Sequence, residues 1–479
     1  MYGDEAYWLA ALFGLIRAQI LAPLGIIVAL ALSLHILLTK RDIGAAIGWI
    51  GLVWFSPLPG GVVYLVFGVN RVRRRARLLR EVAAPAGAVP AGSPRDDHLA
   101  PLERAARHLT RRGTVAGNAI TMLRNGDAAY PEMLAAIEGA RISVALSTYI
   151  LRDDEAGGPI IDALIAAKAR GVAVRVLLDG VGSSYFVSPA YRRLSRAGVK
   201  VARFLHSPLP WRMPFLNLRS HKKLLLIDGR RGFTGGMNIG AENLVLRGPR
   251  HPVRDTHFAV EGPILAQLVE AFAVDWAFIT GETLAEAAWF PPFEGEAVGE
   301  AVARVVTSGP DEDVEKIEML ILQALACTRR SVAIMTPYFL PDERLMTALA
   351  LAELRGVAVD VVVPARSNHR LVDWASEANI APLLREGVRI WRNPGAFDHS
   401  KMMVVDGIWG LIGSANWDMR SFRLNFELTV EAFHGDLAGK LTALMKACRG
   451  SRISLREIEA CSFPRRLRNA AARLLLPYL

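Results

Sequence analysis

The stretch HKKLLLIDGRRGFTGGMN, His221 to Asn238, returns in outline as HSKMMVVDGIWGLIGSAN, His399 to Asn416. Histidine, lysine, aspartate, glycine and asparagine recur at identical spacings, as His221, Lys223, Asp228, Gly235 and Asn238 and again, 178 positions on, as His399, Lys401, Asp406, Gly413 and Asn416. A chance match to five fixed positions is expected at roughly one start site in a million. Two in one chain are a pair. The types belong together chemically: a histidine can attack or carry a proton, while lysine and asparagine can hold the anionic oxygens of a phosphate. One histidine per copy is half of what in-line displacement at phosphorus needs, a nucleophile on one side and a proton donor for the leaving oxygen on the other. The two copies are therefore expected to face each other as one phosphodiester-processing centre.

Locally, His and Lys two positions apart share one face of a strand, and LLLI after Lys223 and MMVV after Lys401 predict that the strand is buried. Asp228 and Asp406 complete each motif and are counted with the catalytic set, His221, Lys223, His399 and Lys401, although their place at the strand end reads as structural. Gly235 and Gly413 permit close backbone approach. Lys223, Lys401, Asn238 and Asn416 are the expected phosphate ligands. Each copy also offers an acid downstream that could fix a histidine tautomer, Asp255 in the first and Glu427 in the second. No metal site is expected: a lysine beside each histidine places positive charge where a divalent cation would sit, and no HExxH or Cys-rich cluster is present.

Outward from the motifs, the duplication continues. SVALSTYI from Ser143 is echoed by SVAIMTPYF from Ser331, RGVAV at Arg170 by RGVAV at Arg355, and AGVKV at Ala197 by EGVRI at Glu386. Strands alternating with helices predict an α/β fold with a mixed sheet flanked by helices, built as two duplicated domains over 101–290 and 300–463 and joined around Glu286–Gly299. Residues 464–479 place Arg465, Arg466, Arg468 and Arg473 among leucines and alanines, an amphipathic basic helix that suits a membrane interface or a seat on the second domain.

The N-terminal 80 residues are of another kind. Ala18 to Leu38 contains no charged residue over a length sufficient, at about 1.5 Å per residue, to cross about 30 Å of hydrocarbon. A second uncharged run, Ile43 to Val69, carries Pro57, Pro59, Gly60 and Gly61 near its middle. We read a two-helix transmembrane hairpin, with re-entry on the side it left as the alternative. Arg71, Arg73, Arg74, Arg75, Arg77 and Arg80 follow as a basic juxtamembrane segment, which by the positive-inside bias puts all that follows in the cytoplasm. Lys40 and Arg41 would then face the opposite side. Residues 81–100, rich in Ala, Pro and Gly, read as a linker.

Composition agrees. The balance of 57 Lys and Arg against 46 Asp and Glu leaves +11, suited to an anionic partner such as a lipid surface or nucleic acid. Hydrophobic residues make up 52% of the chain and mean hydropathy is +0.25, a surplus that the N-terminal segments absorb. Cys327, Cys448 and Cys461 lack metal-site spacing and argue against a disulfide framework.

With these residues in view, the chain resembles the phospholipase D superfamily, whose signature HxKxxxxDxxxxxxGxxN both copies match without a gap. The resemblance narrows to bacterial cardiolipin synthases of the phospholipase D type through LLTKRD at Leu37, FGVNRVRRR at Phe67, RDTHFAVEGP at Arg254, TPYFLPDE at Thr336 and GSANWDMRSFRLNFE at Gly413. Trp417 and Asp398 depart from that pattern and are expected to tune substrate preference. The resemblance implies a multi-pass enzyme of the bacterial inner membrane that needs neither metal nor nucleotide cofactor. It would turn two phosphatidylglycerol molecules into cardiolipin and glycerol through a phosphohistidine, with His221 as nucleophile and His399 as acid and base. Alternatives are a phospholipid-hydrolysing phospholipase D, a membrane-tethered nuclease, and a lipid-binding module without activity. The membrane segments disfavour nucleic acid, and the intact motifs disfavour a mere binder. Acceptor preference and oligomeric state are not written in the sequence.

Overall fold

A computed structural model describes Gln19 and residues 21–40, 43–68, 97–206, 218–284, 287–291, 297–310 and 313–476. The arginine cluster 71–80, nearly all of the linker and parts of the 286–299 joint lie outside the described residues. The chain divides into two compact units, an N-terminal one and one holding everything described from Asp97 onward.

In the N-terminal unit, α1 (Ala22–Thr39) is uncharged and aliphatic, and is the one described helix long and apolar enough to cross a membrane. The second apolar run is not a single helix. It forms α2 (Ile43–Phe55), breaks at extended Ser56, and resumes as α3 (Pro57–Val63), whose opening proline occupies a first turn that needs no N–H donor. The break turns the chain around. Pro57 packs near Gly25, and a Cβ on Gly61 would meet Leu32 at 2.9 Å, so glycine lets α3 run beside α1. Farther on, the Tyr64 hydroxyl meets His35 Nδ1 at 2.7 Å and Lys40 Nζ donates to the Gly68 carbonyl at 2.5 Å. The run that leaves near Lys40 thus comes back to Lys40.

The larger unit is built on a mixed sheet. Its first half holds β1 (Val115–Arg124), β2 (Ser143–Thr148), β3 (Ala173–Asp179), β4 (Lys200–Phe204), β5 (Arg219–Ser220), β6 (Leu224–Ile227), β7 (Arg231–Gly235), β8 (Val253–Arg254) and β9 (Thr256–Glu261). The second holds β10 (Ala301–Ser308), β11 (Ser331–Met335), β12 (Phe339–Leu340), β13 (Ala358–Pro364), β14 (Arg389–Asn393), β15 (Phe397–Asp398), β16 (Met402–Val405), β17 (Trp409–Gly413), β18 (Trp417–Asp418) and β19 (Asn425–Phe433). Their order is β14-β13-β11-β16-β17-β19-β10-β1-β9-β7-β6-β2-β3-β4, so each half lists corresponding strands outward from the antiparallel β1–β10 seam. The outer strands β2, β3 and β4, and β11, β13 and β14, pair in parallel because helices connect them. Each half buries its own aliphatic core, one around Ile160, Leu164 and Val176, the other around Ile321, Val359 and Ile390.

Two short strands cross between halves. β5 pairs with β19 and β15 pairs with β8, so the strand leading into each histidine is held by the opposite half. At the seam Arg304, fully buried, donates to Glu431 at 2.5 Å, and Trp409 donates to the same carboxylate at 3.0 Å. The C-terminal helix, α4 (Phe463–Arg473), sits on the second half: Arg465 pairs with Glu377, and the Arg468 guanidinium lies 4.3 Å from the Trp374 ring centre. Phe463, Leu467 and Leu474 of this segment stay exposed. Cys327, Cys448 and Cys461 are free thiols.

Candidate active site

His221 follows β5, and its backbone N–H donates to Phe426 O at 2.8 Å; His399 follows β15, with its N–H on Arg254 O at 2.7 Å. These mirrored attachments bring the two imidazoles together, ring centres 6.4 Å apart and planes 81° from parallel. Opposed attack and proton transfer across one phosphoryl group require the two imidazoles to sit within a few ångströms of the same phosphorus. The spacing suits one phosphorus atom.

The acids foreseen for the histidines both reach them, but crosswise. His221 Nδ1 lies 3.1 Å from the Glu427 carboxylate and 3.1 Å from the Ser414 carbonyl, while His399 Nδ1 lies 2.9 Å from Asp255. Each Nδ1 therefore faces oxygen acceptors, which fixes the N–H there and leaves Nε2 with a lone pair toward the centre. Glu427 is itself held by the Ser414 hydroxyl at 2.5 Å and Asn425 at 3.1 Å, and Asp255 accepts from the Thr256 N–H at 2.7 Å. Burial lowers the basicity of both imidazoles, most for His399, where the Lys401 and Lys223 charges add to it. Burial also raises the Asp255 carboxyl to about 6, whereas Glu427 is held below its usual range because its contacts with His221, Lys223 and the Ser414 hydroxyl together outweigh desolvation.

Lys223 and Lys401 are almost wholly buried, and each ammonium donates to the carbonyl of its own histidine, at 2.7 and 2.5 Å. Desolvation brings them down to about 7 and about 8, respectively. The two buried ammonium groups, beside the imidazoles, could each donate charge-assisted hydrogen bonds to a phosphate. Asn238 and Asn416 follow the glycine turns, and among the described residues the buried Oδ1 of each has no hydrogen-bond partner. Gly235 and Gly413 sit at φ +148 and +156, with strand β9 or β19 packed where a side chain would go.

Asp228 and Asp406 are not at this centre. A buried strand of four residues separates each from its lysine, and the carboxylates cap the start of the neighbouring strand instead. Asp228 accepts from the N–H groups of Arg141, Ile142 and Ser143 at 2.8–3.0 Å, and Asp406 from those of Arg329, Arg330 and Ser331 at 2.7–3.0 Å. Placing them in the catalytic set is corrected: they anchor the motif strand. Two further expectations change. Asp398 is buried against Arg124 and Ser400, tying the halves together, and Trp417 packs on Phe339 in the second core. Neither is free to select a substrate.

Sequence reasoning missed several neighbours. Tyr149 packs edge-on against His221 with ring centres 5.2 Å apart, and Tyr338 does the same to His399 at 6.2 Å. The echo of STYI and TPYF carried that signal. His257, buried beside Asp255 and pushed down to about 4 by desolvation, is a neutral imidazole with an unpartnered Nδ1; no pattern in the sequence marked it.

A mixed sheet that joins two His–Lys half-sites across a seam defines an enzyme class, phosphodiester transfer through paired histidines. Comparison with known proteins narrows it. A family model described as "Cardiolipin synthase, PLD-like domain" matches residues 133–276 and again 321–449. Cardiolipin synthase A of Pseudomonas aeruginosa is 34% identical over 426 residues, 87% of this chain and 86% of the relative. Cardiolipin synthase of Geobacillus kaustophilus is 32% identical over 486 residues, 99% of this chain and 96% of the relative. In fold alone, phosphatidylserine synthase of Haemophilus influenzae superposes with a TM-score of 0.60 at 15% identity, covering 79% of this chain and 100% of that one. The chain belongs to the cardiolipin synthases of the phospholipase D superfamily, a family of phosphatidyltransferases.

Proposed function

We propose that the chain makes cardiolipin from two phosphatidylglycerol molecules, and that the paired imidazoles carry the phosphatidyl group between them. The observation behind this is the 6.4 Å separation of the two rings, with both buried lysines beside them. Nε2 of His221 attacks the phosphorus of the first lipid. As the N–P bond forms, the bond from phosphorus to the glycerol headgroup oxygen breaks, and that oxygen takes the Nε2 proton of His399, which enters the step as the imidazolium, its charge held by the bound phosphate anion and Asp255. A hydroxyl of the second phosphatidylglycerol then gives its proton to His399 and attacks phosphorus from the same side. The N–P bond breaks and cardiolipin leaves. Lys223, Lys401, Asn238 and Asn416 bind the non-bridging oxygens, whose charge concentrates in both transition states. Asp255 and Glu427 hold the imidazoles in one tautomer.

Membrane attachment follows from the N-terminal unit. α1 crosses the bilayer, and α2 with α3 dips in and returns, in place of the second crossing of a multi-pass hairpin. Lys40, Arg41 and the arginines after Gly68 then share one side, the cytoplasmic one by their charge. The test is direct. Purified protein in phosphatidylglycerol micelles should release one glycerol per cardiolipin, and chelator should leave the rate unchanged; phosphatidic acid as the sole lipid product would contradict the reading.

A further inference from the structure

Outside the five repeated positions, the two half-sites are not copies. Two residues before each histidine, on the same strand face, the first half carries Arg219 and the second Phe397. Four residues after each asparagine, the first half carries Glu242, engaged by Arg152 at 3.2 Å, and the second carries Arg420. Both departures add a cation to the same flank of the site. Arg219 pairs with Asn425 while His221 is bound to the next strand position, so Arg219, His221 and Lys223 stand in a row, successive members about 6–7 Å apart along the strand.

Tyr149 links this row to Arg420. Its ring packs on His221, the Lys223 ammonium lies 5.4 Å from its centre, and its hydroxyl is hydrogen-bonded to Arg219. Arg420 is half-buried and near both. Its basicity is lowered by burial and then by the Arg219 charge, with Asp418, Tyr149 and Asp179 acting in the opposite sense. The Asp179 carboxylate is itself fixed in place by the N–H groups of Val181, Gly182 and Ser220 at 2.8–2.9 Å. The opposite flank is aromatic: Phe397 and Tyr338 lie 5.9 and 6.2 Å from His399. Two guanidiniums side by side can each offer a planar fork of donors to one phosphate.

We infer that Arg219 and Arg420, with the Tyr149 hydroxyl, form a second phosphate subsite, which holds the phosphodiester of the acceptor lipid while its hydroxyl reaches the phosphohistidine. The inference rests on the transfer reaction proposed above. In the acceptor, three carbons separate hydroxyl from phosphate ester, a reach of roughly 5–6 Å, comparable to the strand step from His221 to Arg219. Such a subsite favours a phosphate-bearing alcohol over water, and so favours transfer over hydrolysis.

The experiment uses the full-length protein in phosphatidylglycerol micelles containing ethanol, a neutral acceptor, and separates cardiolipin, phosphatidylethanol and phosphatidic acid. In Arg219→Gln and Arg420→Gln the ratio of cardiolipin to phosphatidylethanol should fall about tenfold, and in Arg219→Lys and Arg420→Lys by less, since a lysine keeps the charge and loses the fork. A ratio left at the wild-type value overturns the subsite, as does parallel loss of all three products in both the Gln and the Lys variants. If the unaltered protein makes phosphatidylethanol and no cardiolipin, it is the transfer reading itself that fails.

Discussion

Glu427 orients a histidine that belongs to the other half of the molecule: its carboxylate lies 3.1 Å from Nδ1 of His221, and Asp255 returns the arrangement at 2.9 Å from Nδ1 of His399. Neither half is a complete site. The crossing has a structural cause, because β5 pairs with β19 and β15 with β8, which carries each histidine past the seam to the acid-bearing strand opposite.

Glu427→Gln and Asp255→Asn should therefore each lower kcat by about 100-fold, the scale of losing an oriented proton carrier, while keeping the fold. Steady-state rates with thermal unfolding on the same preparations check this. A variant of either acid with full turnover would show that the crossed contacts do not matter to the chemistry.

The pH dependence should be set by the buried cations and imidazoles. Lys223 and Lys401, at about 7 and about 8, bind phosphate only when protonated, so kcat/KM should fall as pH rises through that range. The nucleophile must be neutral. Its pKa is lowered from 6.5, so the loss on the acid side should come below pH 6.5. A profile still rising beyond pH 9 would be incompatible with protonated lysines at the centre.

Arg304 and Glu431 test the seam between the halves. Removing one member of a fully buried ion pair leaves an uncompensated charge and costs about 3–5 kcal/mol. Arg304→Ala should lower the unfolding midpoint by several degrees, in detergent, with a matching loss of activity on warming. An unchanged midpoint would mean that the seam does not depend on this pair.

Topology can be read with single cysteines in a protein whose Cys327, Cys448 and Cys461 are replaced by serine. A cysteine at Lys40 should react with an impermeant maleimide from the cytoplasmic face, and one at Ser56 from neither face. Labelling of Lys40→Cys from outside would restore the two-crossing hairpin.

Much of the site was legible in the primary structure because a repeated five-residue pattern survives any rearrangement of the chain between copies. That His221 and His399 meet, and that Asp255 and Glu427 serve them, followed from types and spacing. Which acid serves which histidine did not, since strand crossing at β5 and β8 is a property of the whole sheet. Asp228 shares a motif with His221 yet lies at the far end of β6, where it caps backbone N–H groups; linear proximity to chemistry misled there. Asp398 and Trp417 looked like substrate-facing oddities, but burial against Arg124 and Phe339 makes them structural. In the N-terminal unit, hydropathy marked the apolar run after Ile43 correctly and could not reveal its reversal at Ser56. That depended on Gly61 letting α3 pack against α1.

The central claim is that His221 and His399 act as one unit on one phosphorus. The most direct measurement follows the ³²P label of phosphatidylglycerol onto the protein, in the unaltered chain and in His221→Ala and His399→Ala. The account predicts an acid-labile phosphatidyl adduct on His221 in the unaltered chain, none when His221 is removed, and near-total loss of cardiolipin in both variants. Ordinary cardiolipin formation by either single variant would contradict it.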